Sequence, residues 1–383
     1  MDPTETAAAQ FPVTAQHIYL NHAAVAPWPR CAAEAVTAFA RENADHGAAG
    51  YLRWLDTERK LRASAARLIN APSPEDIALL KNTSEGLSVI AHGLRWERGD
   101  NVVGIHQEFP SNRVVWESLR EYGVAFRALD LATSADPEQD LMALCDSRTR
   151  LLSVSAVQFS SGLRLDLERL GEACRRRDIL FCIDAIQQVG ALPFDAVAAG
   201  ADFVVADGHK WMLGPEGIAL FYSRAESRDR LRLRQFGWHM RRDPGDYEAG
   251  STWDISPSAT RFECGSPNML GIHALEASLA LREGVGMTAV AAAVLERTRR
   301  ITAWAESPPD FEVLSPRAPE RHSGITTLRH RTVPAELLHR RLTESGVICA
   351  VRGGGIRFSP HFYTPLEQVD RACKLLDQAS RSA

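Results

Sequence analysis

The chain has 383 residues, 45% hydrophobic and 24% charged, with a formal net charge of −4. That composition suits a large globular core spread over two domains, and with no basic surplus neither nucleic acid nor an anionic membrane is expected as a partner. Seven scattered cysteines without a C-x-x-C, no apolar run near the roughly 20 residues of a membrane span, and an N-terminus unlike a signal peptide lead us to expect a cytoplasmic protein with reduced thiols.

In chain order, amphipathic periodicity predicts helices over residues 34–43 and 57–69. PSPED turns into a short strand, IALLK, followed by NTSEG and the helical run LSVIAHGLRW. Strands are expected at NVVGIH, AFRALDL, TRLLSVSAV, ILFCID, ADFVVAD and GIALFYS. Several are apolar on both faces, as strands buried in a mostly parallel sheet are. SNRVVWESLREYG, DLERLGEACRRRD and DAVAAG read as intervening helices. This alternation predicts an open α/β sheet covered on both sides. Past residue 285, FEVLSP, GITTLRH and VICAVR–GIRFSP suggest a small antiparallel sheet, with helices at PAELLHRRLTESG and TPLEQVDRACKLLD. Thr364 and Glu367 have the spacing of a capping box for the last helix. The expected division is a large α/β domain over 17–284 and a small α+β domain over 285–383, with residues 1–16 an arm packing against the latter.

Ligands of open α/β sheets bind beyond the carboxyl ends of the strands. Those ends carry Thr83 and Ser84 after IALLK, Glu108 and Phe109 after NVVGIH, and Gln158 after LLSVSAV. They also carry Asp184 and Gln187 after ILFCI, and Asp207, His209 and Lys210 after ADFVVA. Each has an ordinary alternative: a plain helix cap, a core filler, a turn residue, a solvated lysine. Their convergence on one rim argues for a site. A lysine that can form a Schiff base, a carboxylate for a pyridinium nitrogen, and hydroxyls at a helix N-terminus for a phosphate dianion are what pyridoxal phosphate requires.

The segment CIDAIQQVGALPFDAVAAGADFVVADGHKWMLGPEGIALFY resembles the class V aminotransferase family of fold-type I pyridoxal-phosphate enzymes, which includes cysteine desulfurases, selenocysteine lyases and isopenicillin N epimerases. YLNHAA, NTSEG, EFPSN, RFECGSPN and RFSPHFYTP follow in the family's order, so the resemblance covers nearly the whole chain. It implies that Lys210 carries the internal aldimine, Asp184 pairs with the pyridinium nitrogen and Gln187 reaches the phenolic oxygen. Thr83, Ser84 and His209 would bind phosphate, and Phe109 would stack on the ring. Ser266 would reach the phosphate of a neighbouring subunit, implying a homodimer with shared sites. Arg357 would grip the substrate α-carboxylate, as a bidentate guanidinium can. Gln158 is the expected polar contact above the cofactor, and His22, His239, Trp238 and His361 are candidates for the substrate pocket.

Three departures bear on the reaction. Desulfurases of the family carry a nucleophilic cysteine on a loop before the carboxylate-binding arginine, whereas here AVRGGGIRFSP runs directly from Val351 to Arg357. Cys349 lies upstream in an apolar run and reads as core. Phe109 replaces a stacking histidine, and Asp207 stands where desulfurases have a serine, its role open. The resemblance therefore implies an enzyme that deprotonates an amino acid at Cα through an external aldimine. Transamination and β-elimination with C–S cleavage are favoured over desulfuration, selenocysteine cleavage or epimerisation. A cofactor-binding module without turnover ranks below all of these. No metal-ligand spacing is apparent.

Overall fold

The computed structural model describes residues 7–246, 248 and 253–381. After a short strand β1 (Ile18–Tyr19), seven strands form one sheet: β2 (Ile77–Leu80), β3 (Asn101–Ile105), β4 (Ala125–Leu129), β5 (Thr149–Ser155), β6 (Leu180–Asp184), β7 (Phe203–Asp207) and β8 (Ala219–Ser223). Their spatial order is β2-β8-β7-β6-β5-β3-β4. β8 runs antiparallel to both neighbours, and the remaining pairings are parallel.

The apolar runs bury both faces because helices cover both. Successive side chains alternate across a strand. Phe181 and Ile183 enter the core on one side, while Leu180 and Cys182 enter the core on the other. β4 lies at the sheet edge and is only partly buried. The parallel direction of β3, β5, β6 and β7 brings their carboxyl ends to one rim.

A second sheet follows, in the order β12-β13-β10-β9, from β9 (Phe311–Val313), β10 (Thr326–His330), β12 (Ala350–Arg352) and β13 (Gly355–Phe358). The VICAVR run is not one strand. Its first half, β11 (Val347–Ile348), pairs parallel with β1, and the chain changes sheets at Cys349. Phe11 stacks on Tyr363, its ring centroid 3.5 Å away. Helix Met269–Val285 packs on helices Arg30–His46 and Tyr51–Leu68. It turns by 86° into helix Met287–Ala305 at Gly286, whose φ of 86° disfavours any residue with a Cβ. Among the described residues no single helix is long and apolar enough to cross a membrane.

Two local expectations fail. DAVAAG forms turns rather than a helix. The segment is short and closes at Gly200 with φ 62°, while the Ala199 carbonyl presses on Gly171. The capping box of the last helix does not form, because Thr364 Oγ1 accepts from the His361 N–H at 3.0 Å and the helix begins at Leu366.

Candidate active site

The strand ends surround a cavity of about 330 Å³ lined by Thr83, Ser84, Phe109, Asp184, Gln187, Asp207, His209 and Lys210, with Arg352 and Arg357 entering from the second sheet. At one end of the cavity lies the N-terminus of helix Thr83–Gly93, beginning with Asn82. Asn82 Oδ1 caps helix Thr83–Gly93 by accepting from the Glu85 N–H at 2.9 Å. The cap is therefore neither Thr83 nor Ser84. Thr83 Oγ1 is buried with no hydrogen-bond partner among the described residues. Ser84 Oγ lies 2.8 Å from Ser111 Oγ. A free hydroxyl beside the positive end of a helix dipole is suited to an anion.

Asp184 ends β6 in full burial. It accepts from Asn112 Nδ2 at 2.6 Å and from the Ile186 N–H at 3.0 Å. Burial raises its pKa above the ordinary carboxylate value, against the pull of the Ile186 N–H, Lys210 and Asn112. Asn112, two residues after Pro110 in EFPSN, stands in the polar stretch beyond the NVVGIH strand; that placement was the sequence signal, and its burial is seen in the structure. Glu108 is the other buried carboxyl. It accepts from Ser155 N–H at 2.7 Å and Ser155 Oγ at 2.5 Å, tying the carboxyl end of β3 to that of β5. Burial, with Asp184 nearby, pushes it up to about 7.

Lys210 is 8% exposed, three residues past β7. Its loop is constrained: Leu213 donates to the Lys210 carbonyl at 3.0 Å while itself held at φ 62°, a costly conformation for a residue with a branched side chain. Burial lowers the lysine to about 8, Asp184 and Asp207 opposing and Arg357 and Arg352 assisting. Lys210 Nζ stands 5.5 Å from the Phe109 ring centroid. Phe109 is not core filler: it is 44% exposed and meets Phe159 edge to face at 5.5 Å.

Gln187 lies beside these groups, its Oε1 accepting from Trp211 Nε1 at 2.9 Å and its Nε2 donating to the Ala23 carbonyl at 3.0 Å. One amide N–H is left for a ligand. Asp207 Oδ1 lies 2.9 Å from His209 Nδ1, and both atoms are buried without a hydrogen-bond partner among the described residues. Arg357 is 1% exposed and donates from Nη1 to the Phe159 carbonyl at 2.7 Å. Its Nε and Nη2 are buried without an acceptor. Leaving charged donors unpaired is unfavourable, so these atoms mark a place for a carboxylate.

The family profile described as aminotransferase class-V matches residues 18–372. The chain belongs to the class V aminotransferase family. It is 30% identical to a probable cysteine desulfurase of Methanothermobacter thermautotrophicus over 98% of both chains. It is 28% identical to isopenicillin N epimerase of Streptomyces clavuligerus over 94% of both. Among solved structures, the cystine C–S lyase C-DES bound to its reaction product cysteine persulfide superposes with a TM-score of 0.89 at 23% identity, covering 96% of this chain and 99% of that one. The apo cysteine desulfurase from Thermococcus onnurineus NA1 gives 0.86 at 22%, covering 98% and 97%. At those identities the structural likeness concerns the fold.

In this class V aminotransferase chain several expected contacts fall elsewhere. His22 is fully buried outside the cavity, its Nδ1–H donating to the Ser359 carbonyl at 2.8 Å and its Nε2 accepting from the Tyr363 hydroxyl at 2.6 Å. Burial lowers it to about 4, so it stays neutral. His361 is likewise internal: its Nδ1 accepts from the Phe362 N–H at 2.8 Å and its Nε2–H donates to the Trp211 carbonyl at 3.1 Å. Both histidines join the N-terminal segment, the lysine loop and the C-terminal segment, rather than lining the Lys210 cavity. Gln158 is also engaged elsewhere. Its Oε1 accepts from the Ser160 and Ser161 N–H groups at 2.7 and 2.9 Å, and its Nε2 donates to the Gln107 carbonyl. It shapes its own loop and does not line the cavity.

His239 and Ser266 lie outside the cavity too. His239 Nδ1 is 3.6 Å from Glu263 Oε2, beside Arg62, whose guanidinium bridges Glu263 and Glu58. These acids and His239 are grouped closely enough to hold a cation, but the arginine already supplies the positive charge. Trp238, the neighbour of His239, is partly buried and does not line the cavity either. Ser266 lines a separate groove with Glu85, Gly217 and Cys264. Cys349 is core: it is buried, burial pushes its thiol up to about 12, and none of the seven cysteines lines the Lys210 cavity.

Proposed function

We propose that the protein is a pyridoxal-phosphate-dependent enzyme that eliminates the β-substituent of a cysteine-type amino acid without a protein thiol as nucleophile. The observation that carries this reading is the cavity of an amino-acid-processing fold with no cysteine on its wall: β12 passes through Gly353 and Gly354 straight into β13. The likeness of fold to a cystine C–S lyase supports it.

The residues present fit the cofactor. Thr83, Ser84, His209 and the capped helix N-terminus would hold its phosphate. Asp184, aimed by Asn112, would hold its ring nitrogen protonated, Gln187 would meet its phenolic oxygen and Phe109 would cover its face. Bound there through Lys210, the cofactor supplies an electron sink for the pair released at Cα. Arg357 then fixes the substrate through its α-carboxylate. Lys210 Nζ, kept partly neutral by burial, takes the Cα proton. Departure of the thiol from Cβ, which takes up a proton, leaves the enamine of pyruvate, and its imine tautomer is hydrolysed by water to pyruvate and ammonia. Ser266 of a second copy would complete the phosphate site, so the working unit is a homodimer. Seven cysteines free of disulfides suit a cytoplasmic location.

The test is a visible absorption spectrum of the purified protein with added cofactor, followed by product analysis with cysteine, S-substituted cysteines and alanine. A visible band absent in Lys210→Ala, with pyruvate released from a β-substituted substrate, is expected. Alanine as product would make it a desulfurase, amino transfer to a 2-oxo acid a transaminase, and the opposite enantiomer an epimerase; each overturns elimination. A protein that stays colourless overturns the cofactor assignment.

A further inference from the structure

We propose that Arg352 is a second anion anchor, and that the substrate is an amino acid bearing an acidic group on its side chain. This rests on the reading of Arg357 as the α-carboxylate anchor and specifies the substrate class of the same site. Arg352 and Arg357 lie on one hairpin, in which Ala350 pairs with Arg357 and Arg352 with Gly355. Alternate residues of a strand share a face, so Arg352 lies on the face of Ala350 and of its cross-strand partner Arg357. The two-residue turn between them, Gly353 and Gly354, has φ of 57° and 77°, the positive values that a tight hairpin of this kind demands. A turn this short holds Arg352 at the cavity rim, where a longer loop would carry it away. Both guanidiniums line the same cavity as Lys210.

Three cationic side chains thus face one small space, and of the two acids lining it Asp184 is engaged by hydrogen bonds. Asp184 accepts from Asn112 and Ile186, and Asp207 lies beside His209. Neither arginine has a carboxylate partner among the described residues. The hydrogen bond that Arg352 makes is from Nη1 to the Val351 carbonyl at 2.7 Å. Arg357 is buried and meets a carboxylate held deep in the cavity; Arg352 is exposed and meets a group pointing outward. A substrate held by its α-carboxylate at Arg357 directs its side chain toward the opening, within reach of the solvent-exposed arm of Arg352. A neutral side chain would leave that charge without a partner, whereas a carboxylate or sulfonate would form a charge-assisted pair.

Two measurements test this. The first is calorimetric titration of the purified holoenzyme with succinate and glutarate against butyrate, repeated on Arg352→Gln. Dicarboxylates should bind roughly tenfold or more tighter than the monocarboxylate, and the variant should erase that difference. The second is the ratio of kcat/KM for S-carboxymethylcysteine over S-methylcysteine. The ratio should favour the anionic substrate, fall with added salt, collapse in Arg352→Gln and survive in part in Arg352→Lys. Equal losses on both substrates, meaning that Arg352 only assists Arg357 or the fold, overturn the proposal, as does a wild-type protein without preference for the second acid. If neither cysteine is turned over while the dicarboxylate preference persists, the elimination reading fails and the anchor stands.

Discussion

Lys210 is a cation folded into a place where a cation is unfavourable. Its ordinary pKa of 10.5 drops to about 8 through burial, despite the attraction of Asp184. The sign of the consequence follows from proton linkage. Below about pH 8 the lysine is protonated in both folded and unfolded chains, and the full burial penalty applies. Between about 8 and 10.5 the unfolded chain holds more protons, so stability rises with pH. Lys210→Met should therefore stabilise the cofactor-free protein by up to about 3 kcal/mol near neutral pH, with the advantage shrinking as the pH approaches 10.5. Denaturant unfolding of both proteins across that interval checks it; a constant gap would show that Lys210 is not desolvated. The same comparison explains which residue assignments were legible in the sequence. Lys210, Asp184, Thr83 and Phe109 were singled out because they stand at or just beyond strand ends, and Arg357, inside β13, through the family resemblance alone; all five line one cavity. His22 and His361 were placed in the cavity because a histidine in a polar motif looks the same whether its ring faces a ligand or, as here, backbone groups and a tyrosine hydroxyl inside the protein. Arg352 was passed over because the three glycines that follow it carry no polarity pattern.

At the scale of elements, the helix Thr83–Gly93 is placed by its closeness to β7. A Cβ on Gly86 would stand 2.6 Å from Val205 Cγ1, and that branched side chain is fixed in the central sheet. Gly86→Ala should cost about 1–3 kcal/mol of stability and shift the N-terminal turn that bears Thr83 and Ser84, loosening the cofactor. The measurement is the unfolding midpoint together with cofactor retention on dialysis. Adding Val205→Ala should restore both; retention unchanged in Gly86→Ala would mean that the helix end does not hold the phosphate. The strands themselves were legible because parallel strands covered on both sides must be apolar throughout. The split of VICAVR at Cys349 was not, since a strand that changes sheets keeps the same composition on both sides of the break. The failed helix at DAVAAG has the same origin: alanine favours helix, but tertiary contact with Gly171 and the turn at Gly200 decide the outcome.

For the whole molecule, the decisive question is whether one chain completes the site. Ser266 stands in a groove apart from Lys210. If a second copy supplies it, then mixing Lys210→Ala with Ser266→Trp should recover activity that neither possesses alone. Random reassortment gives about one quarter of the wild-type value, since a mixed dimer holds one intact site. No recovery, with sedimentation as a monomer, would refute shared sites. The amino-acid sequence by itself determined the α/β class, the alternating order of elements and the residue types at the strand ends. These follow from local rules, namely periodicity of two or 3.6 and the chemistry of each side chain. Tertiary structure alone decided that Asn82 and not Thr83 caps the helix, that Asn112 reaches Asp184, that Gln158 and two histidines turn inward, and that Arg352 joins Arg357 at one cavity. Asn112 and the two histidines depend on partners in distant segments, about which local pattern carries no information. The Asn82 cap, the Gln158 turn and the Arg352–Arg357 hairpin are local arrangements that several residue types in the same stretch could equally have made.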